Sequence, residues 1–342
     1  MKVLIVGSNS VHVSSYINHL KTISQEVYLL AEEQCNFLEV KEEFQVDFRR
    51  LNPLSIIANY RKTKRLIQQL SPTVIHIHQV NRLAYMVTRI AGKLAIPVVT
   101  TAWGSDVLVI PSQNKLFRFL VKKTLERSAF VTADSQDMIV AMQRLVPSKE
   151  KYIHLQYGIE LVPPATKEKL IFSNRIHKPL YRIDQIIRYF EEMNTDYPDW
   201  NLVIGAIGTE TETLKHQVVT AGLEKRVIFT DWLEKTENHA WYGRSMIYIS
   251  IPSSDGTAVS LLEAMSAGCV PVVPDLAVSH EWIIDGETGV IEKEGVNPLR
   301  EAMRIDQASC AEKNREKVSK VASRSACMER FKELYQKAVD NG

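Results

Sequence analysis

Short apolar segments alternate with longer helical segments along almost the whole chain, and this alternation limits the fold more than any other feature. In the first half, strands are predicted at Val3–Val6, Val27–Leu30, Phe44–Phe48, Val74–Ile77, Val98–Thr101, Phe130–Ala133 and Tyr152–Leu155. Helices are predicted between them, including Val11–Lys21 and Pro53–Leu70. Strands that alternate with helices imply right-handed crossovers and a parallel sheet. We therefore predict an open α/β sheet.

Gly158, Pro163 and Pro164 interrupt this alternation, and we place a domain linker in residues 156–164. A second series of strands is then predicted at Leu170–Ser173, Leu202–Ile207, Val227–Phe229, Ile247–Ser250, Val270–Val273 and Gly289–Ile291. A chain of 342 residues is long for one hydrophobic core. We therefore expect two open α/β domains with a cleft between them. Ligands commonly bind at such domain interfaces.

Composition excludes several classes of function. A formal net charge of +2 gives no electrostatic basis for binding nucleic acid. The four cysteines form no Cys-x-x-Cys pair, which argues against a disulfide framework or a zinc site and favours a reducing compartment. The N-terminal apolar run is too short for a signal peptide, and no run reaches the roughly 18 apolar residues of a membrane span. We expect a cytoplasmic protein, with contact at the inner face of the membrane left open.

Glu263 is the only charged residue between Asp255 and Asp275, and its neighbours are typical of a helix buried on most faces. A buried carboxylate without a partner costs several kcal/mol. Glu263 therefore either caps a loop amide or pairs with an internal arginine, or its partner is a ligand that presents hydroxyl groups. The loop before this helix contains Gly256, which allows close approach, and the helix N-terminus favours an anion.

Three positive charges, Arg175, Lys178 and Arg182, follow the first strand of the second series. Arginine presents a planar fork that suits phosphate oxygens, whereas lysine acts as a point charge. A diphosphate is the natural complement of such a group. Solvated surface charge is the alternative for Lys178 and Arg182, and Arg175, nearest the strand, is the stronger candidate.

Polar residues also follow strands of the first half. His76 and His78 alternate, so they share one face of their strand. No Cys, Asp or Glu lies near them, which disfavours a metal site, and His78 either contacts a sugar or phosphate or is structural. After the next strand, Asp106 either accepts hydrogen bonds from hydroxyl groups or caps a turn. Ser135, preceded by Asp134, fits an ordinary helix N-cap.

Residues 114–127 are predicted to form a basic helix with aromatic side chains. Two interpretations remain open. Together with the basic residues of the segment 61–65, the helix forms a positive surface that faces anionic lipid headgroups. Alternatively, it is a solvated helix that packs Leu116, Phe119 and Leu120 inward.

Three segments, Pro252–Asp255, Glu263–Val273 and Glu281–Val290, resemble in this order the retaining glycosyltransferases of family 4. The resemblance covers essentially the whole chain and implies the GT-B fold, in which two Rossmann-like parallel-sheet domains face each other across a cleft. It implies an acceptor domain in residues 1–158, joined by a C-terminal helix at about residues 321–340. Residues 159–320 are then the donor domain.

The resemblance also implies roles for the acidic residues. Asp255 and Glu263 have seven residues between them, the spacing of the family's acidic pair, with Asp in place of the usual first Glu. By this resemblance Glu263 binds the ribose hydroxyls of a nucleotide sugar, and Asp255 holds the sugar. Further donor contacts are expected from Gly7 and from the segment Gly256, Thr257, Ala258 and Val259.

The family's diphosphate-binding arginine matches Arg175. Its lysine has no match at the usual spacing, because Lys178 lies three residues on and Arg182 seven, and either can substitute. The predicted catalytic residues are Arg175, Asp255, Lys178 and Asp106. The predicted acceptor-binding residues are His78, Trp103, Gly104 and Asp106, with Trp103 where the family often has histidine.

The implied activity is transfer of a sugar with retained anomeric configuration, in which the leaving diphosphate helps to deprotonate the acceptor. The implied donor is a nucleotide sugar, with a UDP-sugar favoured over a GDP-sugar, and neither a cofactor nor a metal is expected. The acceptor is a saccharide or a lipid-linked saccharide in cell-surface polysaccharide synthesis. The alternatives are a nucleotide-sugar epimerase of the same fold and a non-catalytic nucleotide-sugar-binding scaffold.

Overall fold

The structure is a computed structural model that describes residues 1–24, 26–47 and 52–341. The chain forms two compact units, one of residues 1–157 with the C-terminal segment from Arg324, and one of residues 158–323. The unit boundary after Tyr157 lies within the predicted linker. In the described part of the chain, no helix is both long enough and apolar enough to cross a bilayer.

The first unit contains a parallel sheet of seven strands, as the alternation predicted. The strands are β1 (Lys2–Gly7), β2 (Glu26–Ala31), β3 (Glu42–Gln45), β4 (Val74–His78), β5 (Val98–Thr101), β6 (Phe130–Ala133) and β7 (Tyr152–His154). Their order is β3-β2-β1-β4-β5-β6-β7. The predicted strand Phe44–Phe48 begins two residues earlier, at Glu42, and Phe48 lies outside the described residues.

Helices connect these strands. They are α1 (Val11–Leu20), α2 (Pro53–Leu70), α3 (Arg82–Lys93), α4 (Ser105–Leu108), α5 (Ile110–Gln113), α6 (Lys115–Arg127) and α7 (Gln136–Leu145). Short polar side chains start five of them by accepting hydrogen bonds from first-turn amides. These N-caps are Ser10, Asn52, Asn81, Asn114 and Ser135. The predicted N-cap role of Ser135 is confirmed.

The second unit contains a parallel sheet of six strands. They are β8 (Glu168–Ser173), β9 (Asn201–Ile204), β10 (Val227–Phe229), β11 (Ser245–Ile249), β12 (Val270–Val273) and β13 (Val290–Ile291). Their order is β10-β9-β8-β11-β12-β13. The strand predicted at Leu202–Ile207 ends earlier, at Ile204, because Gly205 follows and Ala206 takes a left-handed conformation with φ +71°.

The helices of the second unit are α8 (Ile183–Met193), α9 (Thr211–Thr220), α10 (Lys235–Arg244), α11 (Val259–Ala267), α12 (Ala277–Trp282), α13 (Pro298–Ala302) and α14 (Gln307–Val321). The last helix, α15 (Arg324–Asp340), belongs to the first unit. It begins later than the predicted residue 321, because residues up to Val321 form the end of α14.

Helix α15 contributes two aromatic side chains to the core of the first unit. Phe331 is fully buried, and its ring lies 5.1 Å from that of Tyr16 and 5.5 Å from that of His76. Tyr335 is also buried, and its hydroxyl bonds to the hydroxyl of Tyr16 at 2.5 Å and to Nδ1 of His76 at 2.6 Å. The C-terminal helix is therefore part of the first unit's core.

Replacing Phe331 with alanine should lower the free energy of unfolding by about 3–5 kcal/mol, because the change removes a buried ring and leaves a cavity. Urea unfolding of the full chain measures this loss. The matched control is Lys332→Ala, an exposed neighbour on the same helix, which should stay within about 0.5 kcal/mol. Equal effects of the two substitutions would show that α15 is not part of the core.

Candidate functional site

The candidate site lies where β8 and β11 end, at the centre of the six-stranded sheet. β8 and β11 are neighbours in this sheet. Strands β9 and β10 lie on the β8 side, and strands β12 and β13 lie on the β11 side. Ligands of open α/β sheets bind at such a switch point, beyond the carboxyl ends of the strands. The loops after β8 and β11 carry Arg175 and Asp255, so the topology brings two predicted site residues together.

Arg175 and Asp255 form an ion pair. Nη2 of Arg175 donates to Oδ2 of Asp255 at 2.8 Å, and Nη1 donates to the hydroxyl of Ser260 at 3.2 Å. The guanidinium also stacks on the ring of Tyr181, with its carbon 4.5 Å from the ring centre. Burial opposes the charge of Arg175, but nearby Tyr248 and Asp255 outweigh burial and raise its pKa. A rigidly held cation therefore lies at the start of α11.

The loop before α11 lines a small crevice with its backbone. Ala258 is the N-cap of α11 and provides no side-chain hydrogen bond to the first turn, which leaves this helix end without a polar cap. A Cβ added at Gly256 would have no atom within 4 Å, so the space beside this backbone is open. The hydroxyl of Thr257 accepts from Nε1 of Trp282 at 3.3 Å. The crevice beside Gly256 is lined by the loop before α11 and by residues at and after the end of β12.

Glu263 lies in the second turn of α11 and is mostly buried, with 17% of its side chain exposed. Its Oε1 lies 3.5 Å from Nε2 of His239, on α10, a distance that fits an ion pair but without hydrogen-bond geometry. Burial raises the pKa of Glu263, while His239, Lys235 and the hydroxyl of Tyr242 oppose that shift. Glu263 thus has an internal neighbour, but this is a histidine and not the arginine considered from sequence.

The sequence alone did not identify the residues that place α10 beside Glu263. Asn174, directly after β8, donates through Nδ2 to Oδ1 of Asn238 at 2.8 Å and to the hydroxyl of Tyr242 at 2.7 Å. Its Oδ1 accepts from the hydroxyl of Tyr248 at 3.3 Å. This network connects the end of β8 to α10. The position of Asn174 beside Arg175 was the only signal available in the sequence.

Arg182 and Lys178 differ in their surroundings. Nη1 and Nη2 of Arg182 donate to the two carboxylate oxygens of Glu292 at 2.8 and 3.0 Å, and Tyr189 donates to the same carboxylate at 2.7 Å. Lys178 is exposed. A bidentate carboxylate occupies the fork that a phosphate would need. The geometry therefore disfavours the predicted donor contact of Arg182 and leaves Lys178 as the better candidate for the second cation.

In the first unit, several predicted site residues are held in the interior. Asp106 is fully buried, and its carboxylate accepts from the amide of Val80 at 2.8 Å and from that of Trp103 at 3.0 Å. Burial raises the pKa of Asp106 despite these backbone hydrogen bonds. These contacts correct the prediction that Asp106 accepts hydrogen bonds from a substrate, because its oxygens cap the turn before α4.

His78 is likewise 1% exposed. Its Nδ1 lies 3.2 Å from the hydroxyl of Tyr157, and its ring stacks on that of Tyr157 with centres 5.6 Å apart. Burial lowers the pKa of His78 to about 3, with a smaller contribution from His12. The imidazole is therefore neutral at physiological pH, and the structural interpretation of His78 is favoured over contact with an acceptor.

Gly7 also has a packing role. A Cβ at this position would lie 2.9 Å from a methyl of Val13 on α1, closer than van der Waals contact allows. Gly7 thus lets α1 pack against the end of β1, and its expected donor contact stays a prediction.

Trp103 and Gly104 remain accessible. Trp103 is half-buried, and its Nε1 donates to the hydroxyl of Tyr157 at 2.5 Å. The exposed ring of His12 meets that of Trp103 edge-on, with centres 5.7 Å apart. Gly104 has φ +114°, which side chains rarely adopt. His12, Trp103 and Tyr157 form an aromatic cluster, and sequence reasoning missed His12 and Tyr157.

Helix α6 packs differently from the inward face proposed for it. Leu116 and Phe119 are 63% and 48% exposed, whereas Val121 and Leu125 are buried. The prediction that Leu116 and Phe119 face inward is wrong, because the buried stripe follows the phase of Val121 and Leu125. Exposed apolar side chains thus stand among Lys115, Arg118 and Lys122.

In the described part of the chain, no group of three or more His, Cys, Asp or Glu side chains is placed to hold a metal ion.

Comparison with protein families matches the two halves of the chain separately. Residues 2–135 match the model described as glycosyl transferase 4-like, and residues 159–325 match the model described as glycosyl transferases group 1. Each half thus matches a model of a glycosyltransferase domain, in the order that the resemblance implied.

Two relatives share part of the sequence. The lipopolysaccharide core biosynthesis mannosyltransferase LpcC of Rhizobium leguminosarum bv. viciae is 30% identical over 113 residues, which cover 32% of this chain and 32% of that protein. The lipopolysaccharide core biosynthesis mannosyltransferase LpsB of Rhizobium meliloti (strain 1021) is 31% identical over 102 residues, 28% of each chain. The chain therefore matches about a third of the length of these relatives.

Solved structures match the whole chain at low sequence identity. Anabaena Alr3699/HepE in complex with UDP matches with a TM-score of 0.81 at 12% identity, over 98% of this chain and 100% of that chain. The lipopolysaccharide outer core galactosyltransferase WaaB in its apo form matches with a TM-score of 0.72 at 14% identity, over 100% and 99%. With two parallel-sheet α/β units, these likenesses confirm the predicted fold class, GT-B.

The burial of His78 leads to a prediction about how the free energy of unfolding depends on pH. A histidine whose pKa falls from about 6.5 to about 3 on folding takes up its proton mainly in the unfolded state, so stability decreases as pH falls through this range. In His78→Phe the free energy of unfolding should fall less steeply between pH 6.5 and 5, by about 1 kcal/mol per pH unit on average. Urea unfolding at each pH measures the slope.

The control for this experiment is His216→Gln, at an exposed position of α9, which should keep the wild-type slope. Substitution of His78 also removes its contact with Tyr157, so the slope is the readout and not the absolute stability. Identical slopes in His78→Phe and the wild type would show that His78 is not buried in its neutral form.

Proposed function

We propose that the protein is a glycosyltransferase that moves a sugar from a nucleotide-sugar donor to a saccharide or lipid-linked saccharide acceptor in surface-polysaccharide synthesis. One observation supports this most strongly. Three features lie together at the switch point of the second unit's sheet. They are Arg175, the start of α11, which has no side-chain N-cap, and the mostly buried Glu263. A cation, free amides and an incompletely paired carboxylate match a diphosphate and a ribose.

The diphosphate is assigned to Arg175 and the N-terminus of α11. Arginine carries five N–H donors, and the hydrogen bonds to Asp255 and Ser260 use only part of them. The stacked ring of Tyr181 holds the guanidinium plane before any ligand arrives. Lys178 is proposed as the second cation, because Glu292 holds Arg182.

The ribose is assigned to Glu263. The imidazole of His239 lies 3.5 Å from this carboxylate but does not form a hydrogen bond with it. Two ribose hydroxyls would supply charge-assisted hydrogen bonds of about 1.5–3 kcal/mol each, which would offset the desolvation of the carboxylate. UDP is the first nucleotide to test, because it is the ligand of the similar HepE structure.

The proposed chemistry retains the anomeric configuration. The bond between the anomeric carbon and the diphosphate oxygen breaks, a bond from that carbon to the acceptor oxygen forms, and the acceptor proton passes to the leaving diphosphate. Arg175, Lys178 and the amides of α11 stabilise the charge that develops on the leaving group. These groups neutralise the negative charge of the diphosphate, and no metal ion is proposed for this role. Turnover is therefore expected to persist in the presence of a chelator. Asp255 is proposed to hold the sugar.

The acceptor is assigned to the first unit, to Trp103 and Gly104. His78 and Asp106 serve as internal supports for that surface, because both are buried and bonded within the unit. The aromatic cluster of His12, Trp103 and Tyr157 lies beside them, and aromatic side chains suit the apolar side of a sugar ring.

Removal of the Arg175 side chain should weaken UDP binding at least tenfold, because a charge-assisted hydrogen bond is worth about 1.5–3 kcal/mol. Turnover should fall by about 10²–10³, the usual cost of removing one donor that stabilises developing charge. Calorimetry with UDP and nucleotide release from UDP-sugars with a panel of saccharides measure the two losses.

Arg175→Ala also leaves the carboxylate of Asp255 without its partner, so the double variant Arg175→Ala/Asp255→Asn is included and should still bind weakly. The matched control is Arg188→Ala, at an exposed arginine of α8 that pairs with Asp184 at 2.7 Å. It should bind UDP as the wild type does. The assignment fails if no nucleoside diphosphate binds the wild type, or if Arg175→Ala binds UDP normally.

We also propose that α6 contacts an anionic membrane surface, because exposed Leu116 and Phe119 stand among basic residues. Reversal of two charges in Lys115→Glu/Arg118→Glu should lower binding to anionic vesicles at least tenfold, since each basic residue near the surface is worth about 1 kcal/mol. Sedimentation with vesicles of phosphatidylglycerol and phosphatidylcholine measures this.

The control is Lys313→Glu/Lys320→Glu, which changes the net charge by the same amount but on α14. This variant should sediment as the wild type does. Binding that is equal on anionic and neutral vesicles, or equal losses in both variants, would contradict the membrane assignment.

A further inference from the structure

His239 is an ionisable side chain beside Glu263 that the resemblance does not explain. It lies on α10, its Nε2 is 3.5 Å from Oε1 of Glu263, and 18% of its side chain is exposed. This Nε2 atom is buried, and the described residues offer it no hydrogen-bond partner. A buried polar atom without a hydrogen bond is costly. Its position beside a buried carboxylate therefore calls for an explanation.

Other charges around this pair come from few elements. Lys235 and Tyr242, one turn before and after His239 on α10, also act on Glu263, but Lys235 bonds to Glu160 at 2.5 Å. From α14, Arg315 donates to the carbonyls of Ser266 and Ala267 at the far end of α11. Strand β12 carries no charged residue.

Arg175, at the start of α11, is paired with Asp255. His239 is therefore the neighbour of the Glu263 carboxylate whose buried Nε2 makes no hydrogen bond among the described residues.

We propose that His239 is a positioning residue for the donor: it holds the Glu263 carboxylate charged and oriented for the ribose hydroxyls. This inference rests on the proposed function, since it requires that a nucleotide binds at Glu263. The helix that carries His239 is fixed by Asn174 through Asn238 and Tyr242, so the imidazole is presented from a rigid support. The proposal adds a residue that neither the family spacing nor the sequence pattern indicated.

The consequence is a particular dependence of nucleotide binding on pH. Burial raises the pKa of Glu263 above its ordinary value, so the carboxylate takes up a proton at a higher pH than an exposed glutamate does. A protonated carboxyl accepts fewer hydrogen bonds, so affinity is present above that pKa and is lost as pH falls through it. Because His239 opposes this rise in the pKa of Glu263, it extends nucleotide binding to lower pH.

The test is calorimetry with UDP from pH 5 to 8 on the full chain, as wild type, His239→Gln and His216→Gln. Glutamine keeps a polar side chain of similar reach but cannot become charged. At pH 8 the affinities of wild type and His239→Gln should agree within about threefold, or about 0.7 kcal/mol. The pH of half-maximal affinity should be about one unit higher in His239→Gln, the smallest shift usual for loss of a close opposite charge. His216→Gln should match the wild type.

A second comparison separates positioning from general packing. In the Glu263→Gln background the part of the acid loss that Glu263 causes should disappear, and only the loss from protonation of the terminal phosphate of UDP, whose pKa is about 6, should remain. Adding His239→Gln should then shift nothing. The inference is overturned if His239→Gln weakens UDP binding equally at every pH, leaves the profile unchanged, or shifts it in the Glu263→Gln background. If the wild type binds no nucleoside diphosphate at any pH, the proposed function itself fails, and the inference fails with it.

Discussion

A carboxylate placed in an apolar helix is the constraint around which the second unit is arranged. An ionised carboxylate that is buried alone costs several kcal/mol, so the fold must supply partners or leave room for a ligand that does. The structure supplies a part of what Glu263 needs, through His239 at 3.5 Å. The shortfall in hydrogen bonds is what a pair of ribose hydroxyls would fill. The rest of the site follows from the position of α11, whose start lies beside Arg175.

The parallel topology explains how residues so far apart in sequence form one site. Arg175 and Asp255 are 80 residues apart and yet hydrogen-bonded at 2.8 Å, because β8 and β11 are neighbours where the strand order reverses. The first unit has the same reversal between β1 and β4, but its polar groups there are used differently. His76 bonds to Tyr335 and Thr101, at 2.6 and 2.7 Å. Internal hydrogen bonds thus hold His76 in the core of the first unit.

Much of the fold could be predicted because strand and helix periods are local properties of the sequence. The strands Val98–Thr101, Phe130–Ala133, Val227–Phe229 and Val270–Val273 have the bounds that were predicted. Arg175, Asp255 and Glu263 could be selected because a charge at a strand end or in an apolar helix is conspicuous. The exposure of Phe119 was left open, since several stripes of α6 carry apolar residues and only packing selects one.

The contacts of three other residues could be identified only from the structure. These are His239, Asp106 and Arg182. His239 is one of several polar residues on α10, and the sequence does not indicate which helix faces α11. Asp106 could cap a turn or face solvent, and the amides of Val80 and Trp103 decide between these. The partner of Arg182, Glu292, lies 110 residues away in the chain. Each outcome depends on a contact between distant segments, which local patterns do not report.

The most direct test of the account is an experimental structure of the full chain with UDP bound. The account predicts that the diphosphate lies within hydrogen-bond distance of Arg175 and the amides at the start of α11, and that the ribose hydroxyls bond to Glu263. UDP bound at another place, or bound here with Glu263 still facing only His239, would contradict it.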